Sequence, residues 1–240
     1  MKDVMFDNSY SRTETATAKT AKTARKAVAV AEVERSGFYS RRIKRAIDIV
    51  LVLILAPAVL PATLIFWVLT RMDGAAGFYG QERVGREGRL FTCWKIRTMV
   101  PNAEQVLAEL CARNPEIDRE WRTTQKLKRD PRITRVGRLL RKTSLDELPQ
   151  LWNIFIGDMS FVGPRPFTTS QEHLYVQAGG KAYFRLRPGI TGPWQVEGRG
   201  TTLFTDRVRF DESYHARLSL KTDATYVWKT FGVVLRMTGS

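Results

Sequence analysis

At 240 residues, with 43% hydrophobic and 26% charged side chains, the chain has room for one ordinary domain with attachments and enough apolar content to fold around a core. Its formal net charge of +15 asks for a polyanionic partner: nucleic acid, an anionic membrane face or a phosphorylated substrate. Two cysteines, Cys93 and Cys111, with no CxxC and no clustered histidines, argue against a disulfide framework and a zinc site and fit a reducing compartment.

The first forty residues are rich in Thr, Ala, Ser and Lys, as in "TATAKTAKTARKA", with little apolar periodicity. Residues 1–40 read as a basic, disordered tail, without the charged–apolar–small order of a cleavable signal peptide. Residues 41–72 contain "RRIKRAIDIVLVLILAPAVLPATLIFWVLTRM", with twenty-one uncharged residues from Ile49 to Leu69, about the ~20 needed to cross a bilayer. Soluble cores seldom need a helix that is apolar all round, so the segment reads as a membrane anchor. Pro57 and Pro61 each remove a backbone N–H near its middle and favour a bend. Basic residues flank both ends, Arg41, Arg42, Lys44 and Arg45 before and Arg71, Arg83, Arg86 and Arg89 after, so both flanks ask for the cytoplasmic side. A kinked, re-entrant helix satisfies both; a plain transmembrane span is the alternative, because membrane helices tolerate proline.

Residues 73–240 form the remaining domain. "GFYGQERVGREGRLFTCWKIRTM" predicts a hairpin turning at Gly85-Arg86-Glu87-Gly88. "PNAEQVLAELCAR" predicts a helix with Ala103, Val106, Leu107, Leu110 and Cys111 on one face. Beyond it, short helices alternate with Gly/Pro-rich connections, and no strand–helix series of a doubly wound sheet is present. The expected class is α+β, mainly helical with short β-hairpin elements, carrying one re-entrant membrane helix near the N-terminus.

The chemistry gathers at "RKTSLDELPQLWN". Lys126, Lys128, Arg129, Arg132, Arg135, Arg138, Arg141 and Lys142 precede the adjacent acids Asp146 and Glu147, opposed only by Asp130. Pro149 belongs in a helix's first turn, so Asp146 is the expected N-cap, with Leu148, Leu151, Trp152 and Phe155 on a buried face and a stop by Gly157. Arg132, Arg135, Arg138 and Arg141 recur every three positions and would lie along one helical face. Such a run can be a plain solvated surface. Beside an acid pair it can equally bind phosphate, where a carboxylate either holds Mg²⁺ or attacks phosphorus. Arg165 between two prolines, Arg187 before Pro188-Gly189 and Arg199 between two glycines point to a polyphosphate pocket. No GxGxxG, GxxxxGK[ST] or D-x-D occurs, and His173 and His215 are isolated, so common nucleotide folds and histidine-centred mechanisms have little support.

These stretches resemble the bacterial sugar transferases, the small monotopic polyprenyl-phosphate phosphoglycosyl transferases, especially the exopolysaccharide-initiating members. The match is carried by "KRAID", the proline-bearing anchor, "KIRTM", "DPRITRVGRLLRKTSLDELPQLWN", "GDMSFVGPRP", "RPGITGPWQVEGR" and "FDESYHARLSLKTD". The resemblance implies transfer of a sugar-1-phosphate, galactose or glucose, from a UDP-sugar to polyprenyl (undecaprenyl) phosphate, releasing UMP, at the cytoplasmic face of the inner membrane. It implies Asp146 as nucleophile, Glu147 as the Mg²⁺ ligand and a helix broken at Pro57. Arg141, Arg165, Arg199, Lys95, Arg97 and Arg132 become the candidate substrate-binding set, with downstream glycosyltransferases as partners and no nucleic acid. Ala56 stands where many members have serine, and "GPWQV" where many have "GWAQV" or "GLWQV", which leaves the sugar open. A basic membrane-attached nucleic-acid binder should instead show a reading module, and a non-catalytic scaffold for polysaccharide assembly would not need the acid pair.

Overall fold

The computed structural model describes residues 39–124, 127–198 and 202–235. The expected tail at 1–38 and the candidate Arg199 therefore lie outside the described residues. After a π-helical turn at Tyr39–Ile43, helix α1 (Lys44–Arg71) runs 28 residues, about 42 Å at ~1.5 Å per residue. It is the one helix among the described residues long and apolar enough to cross a membrane, and little of its apolar stretch is buried. Helical assignment continues through Pro57 and Pro61. At Pro57, where the break is expected, the residues on both sides are helical, and each proline removes one backbone N–H from the helix.

Strands β1 (Phe78–Val84) and β2 (Leu90–Ile96) pair antiparallel, with the turn falling on Gly85–Gly88 as the sequence predicts and Glu87 at φ 59°. Helix α2 (Ala103–Arg113) turns Ala103, Val106, Leu107, Leu110 and Cys111 inward, and α3 (Pro115–Thr124) packs against it. Helix α4 (Arg135–Thr143) is capped by Thr134 Oγ1, which accepts from the Gly137 N–H at 2.9 Å. A 3₁₀ turn at Leu145–Glu147 leads into α5 (Gln150–Ile156), which ends on Gly157 at φ 99°.

The second β element is not a hairpin. Strands β3 (Ser160–Val162) and β4 (Gly189–Thr191) pair parallel across an intervening excursion through α6 (Thr169–Gln177) and α7 (Ala182–Arg185). Here the glycines of "VGPRP" and "RPGITG" act at the backbone. A Cβ on Gly163 would lie 2.2 Å from the Arg187 carbonyl oxygen, and one on Gly189 only 2.1 Å from the Gly163 nitrogen. Helices α8 (Arg207–Ala216) and α9 (Leu220–Leu235) close the fold. Phe167 stacks on Tyr183 at 4.1 Å between centroids, in a core cluster with Val84, Tyr175 and Phe184.

The anchor belongs to this domain at both ends. At its head, Val52 joins Phe91, Cys93, Ile154 and Met159 in one core cluster. Lys44 Nζ lies 2.6 Å from Asp223 Oδ2, and Arg45 donates to the carbonyls of Ile154 and Phe155 at the end of α5. At its tail, Arg97 donates to the carbonyls of Thr70, Ala76 and Met99 and to Asp73, while Trp67 covers Gly77 and Phe78. Between these ends, Leu53, Ile54, Leu60, Leu64 and Ile65 are exposed.

Arg97, a candidate for the substrate-binding set, is thus fastened to the exit of the helix. Arg97→Met should lower unfolding stability by about 2–4 kcal/mol, since buried acceptors lose charged donors worth ~1.5–3 kcal/mol each. Thermal denaturation in detergent measures this, and limited proteolysis should find new cleavage at 72–77.

Candidate active site

The acid pair does not sit where a simple N-cap would. Ser144 adopts φ 58°, ending α4 in the left-handed region, and the chain turns at once into the 3₁₀ segment bearing Asp146 and Glu147. Pro149 is itself the residue before α5, which begins at Gln150 and is only seven residues long. Pro149 lacks an N–H, and Leu148 already donates to Leu145, so tight turns precede the helix and Asp146 stands one turn upstream of it. The field of a short helix is thus not what holds the carboxylates.

Side-chain cations do that work. Asp146 is 8% exposed. Lys95, on β2, places Nζ 2.8 Å from Glu147 Oε1 and 3.6 Å from Asp146 Oδ2. Arg165, in the rigid Pro164–Pro166 turn after β3, brings Nη2 to 3.7 Å from Glu147 Oε1. Arg141 reaches in from the last turn of α4, its Nε donating to Thr98 Oγ1 at 2.8 Å. Burial pushes the Asp146 carboxyl up from 3.8; Lys95 opposes this most strongly, Glu147 adds to it, and Arg141 lowers it. Burial in turn depresses Arg141, with Asp146 and Asp130 restoring its charge.

Of the predicted substrate-binding residues, Lys95, Arg141 and Arg165 converge on Asp146 and Glu147. Arg97 holds the anchor. Arg132 precedes α4 rather than lying on it and forms a two-point ion pair with Asp130, Nε to Oδ1 at 2.8 Å and Nη2 to Oδ2 at 2.7 Å, beneath the Trp121 ring. The four-arginine helical face is thereby corrected: Arg135, Arg138 and Lys142 are solvated, and only Arg141 turns inward. Arg187 of the three stiffly held arginines points elsewhere, donating to the Gly157 carbonyl.

The expected buried face of α5 is also corrected. Trp152, Phe155 and Ile156 are exposed, whereas Gln150, Asn153 and Ile154 are buried. Asn153 accepts from the Trp94 N–H and donates to the Thr92 carbonyl, closing the free edge of β2 behind Lys95. Periodicity identified the stripe but could not say whether protein or a non-aqueous surround would cover it.

Three contributors escaped the sequence reading as site residues. Arg83 is half-buried on β1 and close enough to Arg165 and Cys93 to couple electrostatically with both. Thr98 orients Arg141. Arg207 lies over the rings of Trp194 and Phe204, 4.5 and 4.9 Å from their centroids, and donates to the Arg165 carbonyl at 3.0 Å. It joins the Arg165 turn to the segments on either side of 199–201. Of the three, Thr98 lies in the "KIRTM" stretch and Arg83 in the hairpin, while Arg207 stands outside the stretches that carried the resemblance.

Buried Asp146 and half-buried Glu147 thus stand among Lys95, Arg141 and Arg165, on a domain fastened to a long, exposed apolar helix. The chain matches the bacterial sugar transferase family over residues 39–237, and it belongs to that family. It is 48% identical over 202 residues to a UDP-galactose-lipid carrier transferase of Erwinia amylovora and 45% identical over 201 residues to an undecaprenyl-phosphate galactose phosphotransferase of Salmonella typhimurium. Each alignment covers 84% of this chain but 42% of the relative, so the chain spans less than half the length of either. An exopolysaccharide production protein, ExoY, of Sinorhizobium fredii is 45% identical over 198 residues, 82% of this chain and 87% of that one.

Because the folded state holds a proton on Asp146 more tightly than the unfolded chain, this residue's contribution to stability is full below pH 3.8. It falls as pH rises and is lost once pH passes the raised folded value. In metal-free protein, Asp146→Asn should flatten that part of the stability–pH curve and leave the variant at least as stable as wild type at neutral pH. Denaturation midpoints across pH 4–8 for the two proteins check the sign.

Proposed function

We propose that this chain transfers a sugar-1-phosphate from a UDP-sugar to undecaprenyl phosphate, releasing UMP, as the first membrane step of exopolysaccharide or other surface-glycan synthesis. The observation that carries the reading is the burial of Asp146 beside Glu147 within reach of Lys95, Arg141 and Arg165. Two relatives bear galactose in their names, so UDP-galactose is the first donor to test.

In this mechanism an Asp146 carboxylate oxygen attacks the phosphorus bonded to the sugar-1-oxygen. The bond from that phosphorus to the UMP oxygen breaks, and UMP leaves with the electron pair. A phosphate oxygen of the polyprenyl carrier then attacks the same phosphorus and frees the Asp146 carboxylate. Lys95 and Arg165 offset the charge that would otherwise keep a carboxylate from a diphosphate, and their fixed positions make that stabilisation available without rearrangement. A carrier phosphate is already anionic at neutral pH, so no histidine base is required.

Glu147, beside the attacking carboxylate, is the group that would hold Mg²⁺. No set of three or more metal-type side chains gathers among the described residues. Two adjacent carboxylates suit an ion that keeps waters and shares its shell with substrate phosphates, and bound Mg²⁺ would supply further neutralisation of diphosphate charge.

The arrangement of α1 supports a one-sided anchor on the cytoplasmic face of the inner membrane. Its head and tail are both fastened to the same small domain, by Lys44–Asp223 and by Arg97 on Thr70 and Asp73, while the middle is exposed. An entry and exit through one leaflet satisfies both attachments and both basic flanks. Exposed Trp152 and Phe155 on α5, next to the anchor's head, suit the interfacial level of a bilayer.

Purified enzyme mixed with labelled UDP-galactose and Mg²⁺, without acceptor, should release UMP up to the enzyme concentration and retain label on Asp146; added undecaprenyl phosphate should discharge it. Asp146→Asn should lose turnover by on the order of 10³-fold or more. Initial rates requiring both substrates in a ternary complex, with no adduct, would replace this mechanism by direct displacement. For topology, cysteines introduced before Lys44 and after Arg71 should both resist a membrane-impermeant reagent in intact cells. Labelling of one flank alone would establish a full crossing.

A further inference from the structure

The antiparallel register of the hairpin sorts its side chains onto two faces. Gly80, Glu82, Thr92 and Trp94 lie on the solvated face, whereas Gln81, Arg83, Phe91, Cys93 and Lys95 alternate onto the covered one. Lys95 already serves the acid pair, and Phe91 and Cys93 belong to the core. Gln81 and Arg83 have no part in the transfer chemistry above. Both are half-buried, and Arg83 Nη2 donates to Gln81 Oε1 at 2.6 Å. The guanidinium is thereby drawn back along β1 to the level of Gln81, whose cross-strand partner is Cys93. That level is two residues, about 7 Å, from the pair containing Lys95.

What Arg83 lacks is an anion. Its hydrogen bond goes to a neutral amide, and among the described residues no carboxylate pairs with it. Burial lowers its pKa, and the neighbouring Arg165 guanidinium lowers it further. The buried Cys93 thiol feels Lys95, Arg83, Glu147 and Arg165 together, so Arg83 belongs to the same charged cluster as the acids. Four cations, Lys95, Arg83, Arg141 and Arg165, thus face two carboxylates, Asp146 and Glu147. Guanidiniums held together away from water are unfavourable until an anion joins them, and a diphosphate supplies that missing negative charge.

We propose that Arg83, steadied by Gln81, is a substrate-binding residue that holds, together with Arg165, the phosphate departing as UMP. This role rests on the UDP-sugar donor assigned above. Lys95 stands between the two acids, so it serves the phosphorus that Asp146 attacks. The adjacent phosphate falls at the level where Gln81 holds the Arg83 guanidinium. As the bond from the sugar-bearing phosphorus to the UMP oxygen breaks, the charge left on UMP meets a cation already in place.

The test is isothermal titration of the full chain in detergent with Mg²⁺, using UMP, UDP-galactose and galactose-1-phosphate as probes. Arg83→Gln should weaken UMP and UDP-galactose binding about tenfold, the worth of a hydrogen bond to a charged group. It should leave galactose-1-phosphate unchanged, since that probe lacks the nucleotide phosphate. Arg83→Lys, which keeps the charge without the fork, should recover part of the affinity. Gln81→Glu sets a carboxylate beside Arg83 and neutralises it in place, so it should weaken the same two probes; it keeps the test usable if Arg83→Gln fails to fold. Without nucleotide, the unfolding midpoint of Arg83→Gln should be no lower than that of wild type, because Arg165 loses a like-charged neighbour. A merely structural Arg83 would lower that midpoint and weaken all three probes alike, which would overturn the role. Wild-type affinity for UMP in both Arg83→Gln and Gln81→Glu would overturn it too, and would leave the donor assignment standing. If wild type binds neither UMP nor UDP-galactose, the donor assignment itself falls and this role falls with it.

Discussion

Everything at the candidate site depends on Lys95 standing between two carboxylates. Taking Asp146 out of water beside Glu147 is unfavourable by desolvation and by like-charge repulsion, and the pair is held only because a cation is fixed within 2.8 Å of one and 3.6 Å of the other. Lys95 is fixed in turn by β2, whose free edge is closed by Asn153 and whose other edge is paired to β1. The hairpin, the 3₁₀ turn and the buried amide of α5 are therefore one device. It holds the Asp146 carboxyl out of bulk water beside the Lys95 cation.

The same economy governs how the domain holds its long apolar helix. Short cationic contacts join α1 to the domain at its head, where Lys44 meets Asp223 and Arg45 meets the end of α5, and at its tail, where Arg97 gathers four acceptors. Some of these bonds satisfy groups that would otherwise be buried unpaired, such as the Thr70 and Met99 carbonyls, so the contacts fix geometry as well as adding stability. Val52 extends the apolar core of the domain into the first turns of the helix. A helix fixed in this way has a set position relative to Asp146 and Glu147.

The arginines show how one residue type can serve three purposes within a single chain. Arg165 and Arg141 face the acids, Arg97 and Arg132 close structural ion pairs, and Arg135 and Arg138 are solvated. A guanidinium has five donors in a rigid fork, so whichever acceptors the fold brings near will decide its role. Asp73 and Asp130 pair with Arg97 and Arg132, two arginines counted among the substrate-binding candidates.

The sequence by itself determined the apolar anchor, the hairpin and its turn, the half-buried face of α2, the adjacent acid pair and its cationic company, because composition, period and turn chemistry are local properties. Tertiary structure alone decided that Asp146 precedes α5 in a 3₁₀ turn instead of capping it, that Trp152 and Phe155 face outward, and that β3 and β4 run parallel. It also decided which arginines reach Glu147 and that Arg207 holds the Arg165 turn from behind. Those outcomes rest on partners far apart in the chain, such as Lys95 with Glu147, Asn153 with Thr92 and Lys44 with Asp223. A one-dimensional pattern can say that a side chain needs a partner of opposite charge or a dry surface, but only the packed chain supplies the particular one.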